Sequence, residues 1–419
     1  MNTGGMQKDR GAGFPPSFLW GVAVASYQVE GGNLWSDWWE WERTPGHIKD
    51  ASRNTIGCDF WNRYPYYLDL AKKIGLNAFR LSIEWGRVNP EKDRWSDEAL
   101  TRYREIILAC RERGMEPVVT LWHFTLPQWV SHEGGWTNPE TVDWFLAYVD
   151  KTVEALGDNV RFWITLNEPT IVLSLGYKTG VWPPGRKKNI VGFRQARKNQ
   201  IFCHRETFSR IKKKTPETQV GIAVNITYNE PYRPWFPPDR ALVFLANIQG
   251  DYAFLKRMQS HLDFIGLNYY FHSRLAFVFQ PDTSFYVVKN ENKIVSDFGW
   301  EVYPAGIAKV SWDLWQRFRK PIYITENGVA DANMNDKLRS DFIRQHLLYL
   351  SRSIAQGVDV RGYFYWSLMD NFEWAEGFPY RSGLYAMDYE KQIAVPRQSS
   401  VETYRRIIAE HRISHGNLK

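Results

Sequence analysis

Apolar residues gather into eight short runs, at Phe18–Val24, Leu76–Ile83, Met115–Leu121, Phe162–Leu166, Val220–Val224, Phe264–Leu267, Ile322–Thr325 and Gly362–Trp366. Runs this short, bounded by polar residues, Gly or Pro, predict buried strands rather than helices. They start roughly forty to sixty residues apart, which leaves room for a helix and its loops after each. The intervening segments Tyr64–Lys73, Asp97–Arg113, Glu140–Leu156, Phe193–Lys213, Asp239–Arg257, Pro304–Arg319, Asp336–Gln356 and Ser400–His411 carry helical periodicity with polar faces. Several open on an acid or a proline, as helix starts do. Strand then helix, eight times, predicts an α/β protein built as a (β/α)8 barrel.

No Pro/Gly/Ser-rich linker, block of like charge or short internal repeat interrupts this alternation, so residues 1–419 are expected to form a single barrel domain. The first thirteen residues are polar and glycine-rich and predict a flexible tail. They hold no apolar core of an export signal, and no run elsewhere is long enough to span a bilayer; a cytoplasmic location is expected. Cys58, Cys110 and Cys203 form neither a paired framework nor a metal knuckle and read as buried thiols. The net charge of +7 comes from scattered Lys and Arg, with only short runs such as Lys212-Lys213-Lys214, which argues against nucleic acid as a partner.

Aromatic content changes the picture. It reaches 16%, with 20 Trp, and flat rings with N–H or O–H groups suit a carbohydrate cleft. In a barrel of this kind the chemistry sits at the carboxyl ends of the strands. There the chain places Gln28 and Glu30 after the first run, Arg80, Ser82 and Glu84 with the second, Trp122 and His123 with the third, and Asn167-Glu168 with the fourth. The sixth ends at Asn268-Tyr269-Tyr270, the seventh at Glu326-Asn327, and the eighth at Trp366, followed by Asp370-Asn371-Phe372-Glu373-Trp374. Two acids at strand ends, Glu168 and Glu326, are the pairing that cleaves glycosidic bonds. The rim lacks the convergent His/Asp set a metal site requires, so neither metal nor organic cofactor is expected.

The words Thr165-Leu166-Asn167-Glu168-Pro169 and Ile324-Thr325-Glu326-Asn327-Gly328 resemble the acid/base and nucleophile signatures of glycoside hydrolase family one, the retaining β-glycosidases. The resemblance runs along nearly the whole chain, through Phe18-Leu19-Trp20-Gly21, Phe79-Arg80-Leu81-Ser82-Ile83-Glu84-Trp85, Leu121-Trp122-His123-Phe124, Asp263-Phe264-Ile265-Gly266-Leu267-Asn268-Tyr269-Tyr270, Gly299-Trp300-Glu301 and Trp366-Ser367-Leu368-Met369-Asp370. It implies Glu326 as nucleophile, Glu168 as general acid and later base, Arg80 and Tyr270 as groups that keep Glu326 ionised, and Asn167 at the sugar 2-hydroxyl. It further implies sugar contacts from Gln28, Trp122, His123, Asn268, Glu373 and Trp374, a stacking floor at Trp366, and Trp300 toward the leaving group.

The expected activity is removal of terminal β-D-glucosyl units, and also β-galactosyl and β-fucosyl units, from β-linked oligosaccharides or aryl and alkyl β-glycosides. A β-mannosidase or transglycosidase on the same machinery, and a non-catalytic sugar-binding barrel, are the alternatives. Glu30 is read as structural, and Asp370 and Asn371 as caps of the turn after the eighth strand. Glu373 is expected to repel a 6-phosphorylated sugar. Two features depart from the family pattern: Ser382 in Tyr380-Arg381-Ser382-Gly383-Leu384, where an aromatic is usual, and a short segment between strands five and six that opens the leaving-group side.

Overall fold

The computed structural model describes residues 13–248, 250–280 and 284–413. All eight runs are strands: β1 (Leu19–Ala23), β2 (Ala78–Ser82), β3 (Glu116–Trp122), β4 (Phe162–Asn167), β5 (Gln219–Asn225), β6 (Phe264–Asn268), β7 (Ile322–Asn327) and β8 (Val360–Trp366). Each pairs in parallel with its sequence neighbours, and β8 closes the ring onto β1 from Leu19↔Gly362 to Ala23↔Trp366. The protein is a (β/α)8 TIM barrel. Gly13 pairs with Arg412; the rest of the expected tail lies outside the described residues.

Helices cover the outside at Phe60–Ile74, Asp97–Glu112, Thr141–Leu156, Ile190–Lys214, Ala305–Phe318, Lys337–Ala355 and Gln398–Glu410. The single helix expected over 239–257 is instead two, Pro237–Ile248 and Gly250–Lys256, with Gly250 at φ 60° where a side chain would be strained. Three further strands, Tyr228–Pro231, His272–Gln280 and Ser284–Lys289, form a small sheet in the loops above β5 and β6. Their apolar pattern is too broken for a barrel strand, and no such sheet was legible in the sequence. Cys58, Cys110 and Cys203 are free and buried. Among the described residues no helix is long and apolar enough to cross a membrane.

The barrel interior changes character along its axis. At its floor Phe162, Phe264 and Tyr323 meet edge to face, with ring centroids 5.2 to 6.1 Å apart. A Cβ on Gly221 would stand 2.6 Å from the Phe264 ring, so glycine is what lets that ring cross the strand. Toward the carboxyl ends the inward residues become polar: Arg80, Thr120, Asn167, Asn268 and Thr325 are all buried. The aromatic plug supplies rigidity and excludes water, and the polar layer above it carries the site.

The ladder is irregular where the two acids emerge. Register shifts fall between Ile164 and Asn167 on β4, and between Ile324 and Glu326 or Asn327 on β7. Such irregularities re-aim side chains at the end of a strand. Here they turn both glutamates toward the barrel axis.

Candidate active site

Arg80 is the centre from which the site is built. It rises from β2, only 1% exposed, and a guanidinium in that position must satisfy its donors within the barrel. Nη1 donates to Glu326 Oε1 at 2.6 Å and to the Thr325 carbonyl at 3.0 Å, Nη2 to Asn167 Oδ1 at 2.6 Å, and Nε to Thr120 Oγ1 at 3.3 Å. The Tyr270 hydroxyl donates to the other Glu326 oxygen at 2.8 Å. Both Glu326 oxygens thus receive donors that favour the ionised carboxylate.

Glu168 is held differently. It follows β4 in the left-handed region at φ 41°, a conformation that costs a non-glycine residue about 1–3 kcal/mol. Its Oε1 accepts from Asn268 Nδ2 at 2.6 Å and from Asn225 Nδ2 at 3.2 Å, and among the described residues no cation pairs with the carboxyl. The same Asn268 amide donates its other hydrogen to Asn167 Oδ1 at 3.1 Å, which ties Glu168 to the group that Arg80 holds. Asn225 was missed in the sequence, where it is one amide among many after an apolar run.

These surroundings divide the proton. Burial, and then the negative charge of Glu326, push Glu168 up to about 8. Burial raises Glu326 too, but Arg80, Tyr270 and Asn268 oppose it. The shared proton belongs on Glu168, because only Glu326 has a guanidinium at its oxygen.

Asn167 fixes a further hydrogen. Its Oδ1 accepts from Arg80 and from Asn268 at 3.1 Å, so its Nδ2 faces His123 Nε2 at 3.1 Å. Burial and nearby Arg80 keep the imidazole well below its usual pKa, hence neutral. Nε2 therefore accepts and Nδ1 carries the hydrogen, buried and without a protein partner among the described residues. Gln28 is its counterpart: Nε2 donates to the Phe372 carbonyl at 2.7 Å, and Oε1 is left buried without a partner. Both residues, His123 and Gln28, belong to the lining of a cavity of about 570 Å³.

That cavity is lined by Gln28, His123, Glu168, Tyr270, Trp300, Glu326, Trp366, Glu373 and Trp374 from the expected set, and by Ser382. Asn167, Asn268 and Arg80 stand beneath them. Gly328 lets the chain leaving β7 pass over Trp366, since a Cβ there would lie 2.0 Å from the Trp366 carbonyl oxygen. Trp122 does not belong to this wall. It is 1% exposed and packs edge-on against Trp136, at 5.1 Å between rings; Phe124, at φ 78°, faces the cavity instead. A backbone reversal after His123 exchanges the two rings, and alternation along a strand cannot foretell it.

Other rim residues stand behind the cavity. Glu30 accepts from the Tyr103 hydroxyl at 2.8 Å and pairs with Arg87 at 3.3 Å, a structural placement. Asp370 does not cap its own turn. It forms a buried two-pronged pair with Arg397, both contacts 2.9 Å, and accepts from the Gly383 and Met387 amides. Asn371 is fully buried and its side chain caps nothing among the described residues. Among the described residues no group of three His, Cys, Asp or Glu could hold a metal ion.

Glu84 accepts from Ser26 at 3.0 Å and Thr125 at 2.9 Å; burial and then Glu30 push it up to about 8. Burial lifts Asp37 to about 7. Carboxyls raised in the folded state give stability that is fully present below their unfolded pKa and is lost as pH climbs through the folded one. The thermal midpoint is therefore expected to fall between pH 5 and about 8, and less steeply in Glu84→Gln. A midpoint that rises over this window in both proteins would contradict it; scanning calorimetry across pH reads the difference.

Two buried acids in unequal surroundings, one beside a guanidinium and one among amides, facing one aromatic-lined cavity at the rim of a (β/α)8 barrel, point to an enzyme that cleaves glycosidic bonds. Known proteins carry the identification further. The profile of glycosyl hydrolase family 1 matches residues 11–254 and 246–413. β-Glucosidase A of Thermotoga maritima is 35% identical, with 92% of this chain and 96% of that protein aligned. A β-glycosidase structure from Pyrococcus horikoshii superposes with a TM-score of 0.89 at 35% identity, covering 96% of each chain. A family 1 β-glucosidase structure from Thermotoga maritima gives 0.90 at 31%, covering 96% of this chain and all of that one. The chain belongs to glycosyl hydrolase family 1 and is an O-glycosyl hydrolase of the β-glucosidase type.

Proposed function

We propose that this protein is an exo-acting, retaining β-glycosidase that removes terminal β-D-glucosyl units, and also β-galactosyl and β-fucosyl units, through a covalent glycosyl-enzyme. In the first step the Glu326 carboxylate attacks the anomeric carbon while Glu168 passes its proton to the departing glycosidic oxygen. In the second, Glu168, now ionised, takes a proton from water as that water attacks the same carbon and frees Glu326. The observation that carries this reading is the inequality of the two acids: Arg80 and Tyr270 donate to Glu326, whereas only the amides of Asn268 and Asn225 donate to Glu168.

The glycone end supports a hexose. His123 Nδ1 offers a hydrogen and Gln28 Oε1 a lone pair, and vicinal sugar hydroxyls supply the complement of each. Burial and then Glu326 push Glu373 up to about 8, so at neutral pH it also presents an O–H. Discrimination against a 6-phosphate then rests less on repulsion than on the lack of a free cation. Among the described residues the only Lys or Arg on the cavity wall, Lys49, is already 2.7 Å from Glu376.

Hydrolysis of 4-nitrophenyl β-D-glucoside followed by NMR is expected to show β-glucose first, with the α-anomer appearing only by mutarotation. First-formed α-glucose would remove the retaining mechanism. The galactoside and fucoside are expected to react measurably and the mannoside more slowly, because its axial O2 misses Asn167. A mannoside that outpaces the glucoside would instead favour a β-mannosidase.

A further inference from the structure

Gln28 and His123 both stand past the ends of the strands that lead to them. The ladder of β1 stops at Ala23, and Gln28 follows on a single helical turn, Ser26–Val29. The ladder between β3 and β4 stops at Trp122↔Leu166, and one residue beyond His123 the backbone reverses at Phe124, φ 78°. Strand pairing thus ends before either side chain. Each has a tether of its own, Gln28 to the Phe372 carbonyl and His123 to the Asn167 amide.

What the two segments share is Glu84. β2 lies between β1 and β3 in the barrel, and Glu84 follows its last residue, Ser82, by two positions and is fully buried. Ser26, two residues before Gln28, donates its hydroxyl to Glu84 Oε2 at 3.0 Å; Thr125, two residues after His123, donates to Oε1 at 2.9 Å. Ser82 completes the join, accepting from the Ser26 amide at 2.7 Å and donating to its hydroxyl at 2.9 Å. Glu84 is itself anchored through its backbone N–H, which donates to the Tyr103 hydroxyl at 2.9 Å. An acid is costly to bury, and hydroxyl donors offset only part of that cost. Its two oxygens do what an apolar side chain cannot: they hold both segments at a set distance from β2, the strand that also carries Arg80.

Resting on the glycosidase reading above, we propose that Glu84 is a positioning residue that sets the spacing of Gln28 and His123, and through it the recognition of two neighbouring sugar hydroxyls. With Asn167 at the 2-hydroxyl, that neighbouring pair is at positions 3 and 4. Glu84 lies off the cavity wall, so it acts only through the two residues it spaces. His123 Nδ1 and Gln28 Oε1 are buried without partners among the described residues, so each makes or forfeits a whole hydrogen bond to substrate according to where its segment stands. A displacement of about 1 Å stretches such a bond beyond useful length. Arg87, on the turn after Glu84, donates to the Gly31 carbonyl at 2.6 Å and to Asn33 Oδ1 at 2.6 and 3.0 Å, which keeps the loop after β1 attached when the Glu84 carboxyl is removed.

The test is kcat/KM for 4-nitrophenyl β-D-glucoside against its 3-deoxy and 4-deoxy analogues. The wild type is expected to favour the glucoside at least about tenfold over each. Glu84→Ala is expected to shrink that preference at least about fivefold for one or both analogues, whereas a variant that had merely lost stability would slow all three substrates alike. Glu84→Gln, whose amide keeps an acceptor and a donor for the same two hydroxyls, should hold the preference within about twofold of the wild type. Should Glu84→Ala not fold, Thr125→Val and Ser26→Ala each remove one hydroxyl from the join and are each expected to lower the preference about threefold. An unchanged preference in Glu84→Ala, or in both hydroxyl variants, overturns the positioning role while leaving the glycosidase intact. Equal losses in Glu84→Gln and Glu84→Ala would point to charge rather than spacing and overturn it too, as would a wild type indifferent to both hydroxyls. No turnover of the glucoside by the wild type overturns the underlying reading, and this one with it.

Discussion

Replacing Glu326 with glycine is expected to lower kcat for an aryl β-glucoside by about 10⁴- to 10⁶-fold, the range seen when a covalent nucleophile is removed. The reason is local. Glu326 is the acid whose two oxygens are both charge-stabilised, by Arg80 at 2.6 Å and Tyr270 at 2.8 Å. Without it nothing on that face of the sugar can form the ester, while Glu168, Asn268 and the glycone contacts remain. Folding should survive, because Arg80 keeps its bonds to Thr325, Asn167 and Thr120. The space left beside Arg80 is expected to admit a small anion such as azide, which would restore bond cleavage and yield the α-glycosyl azide. Retention of more than about a hundredth of wild-type activity, with circular dichroism unchanged, would show that Glu326 is not the nucleophile.

Glu168→Gln is the second large effect, and its signature is selective. An alkyl glucoside needs its departing oxygen protonated, so its rate is expected to fall about 10²- to 10⁴-fold, the usual worth of general acid catalysis. A dinitrophenyl glucoside leaves as a stable anion and should retain a fast first step, seen as a burst. The pH profile gives the sign independently. Glu168, raised to about 8 by burial and by Glu326, must be protonated for the first step, so wild-type kcat/KM is expected to decline as pH rises through about 8. That limb should vanish with the dinitrophenyl substrate in Glu168→Gln. Once the glycosyl ester forms, the charge on Glu326 is gone and one cause of the raised pKa goes with it. Glu168 then ionises and serves as base. Equal losses on both substrates, with the alkaline limb intact, would place the acid elsewhere.

The strands were legible because a barrel strand is buried on both faces and must be apolar along its length, as in Ile322-Tyr323-Ile324. The acids were legible because they break that rule at one end. Residues whose role depends on where a loop returns were not. Phe298 and Tyr380 are ordinary aromatics until stacking at 3.8 Å makes them one wall. Asp370 reads as a turn cap until Arg397, 27 positions later, comes back to meet it. Trp122 and Phe124 exchange places through a single left-handed residue.

The sequence by itself determined the barrel and the pair of acids, because periodicity and strand-end chemistry are local properties of the chain, and its motif words carried the resemblance to the family. Only the tertiary structure supplies the contacts that favour the proton on one acid over the other. That depends on Arg80 reaching Glu326 and not Glu168, a difference of contact between strands far apart in sequence. It decided equally that Phe271, Trp300, Phe298 and Tyr380 stand as one wall, since these rings meet only when the loops above the barrel fold together.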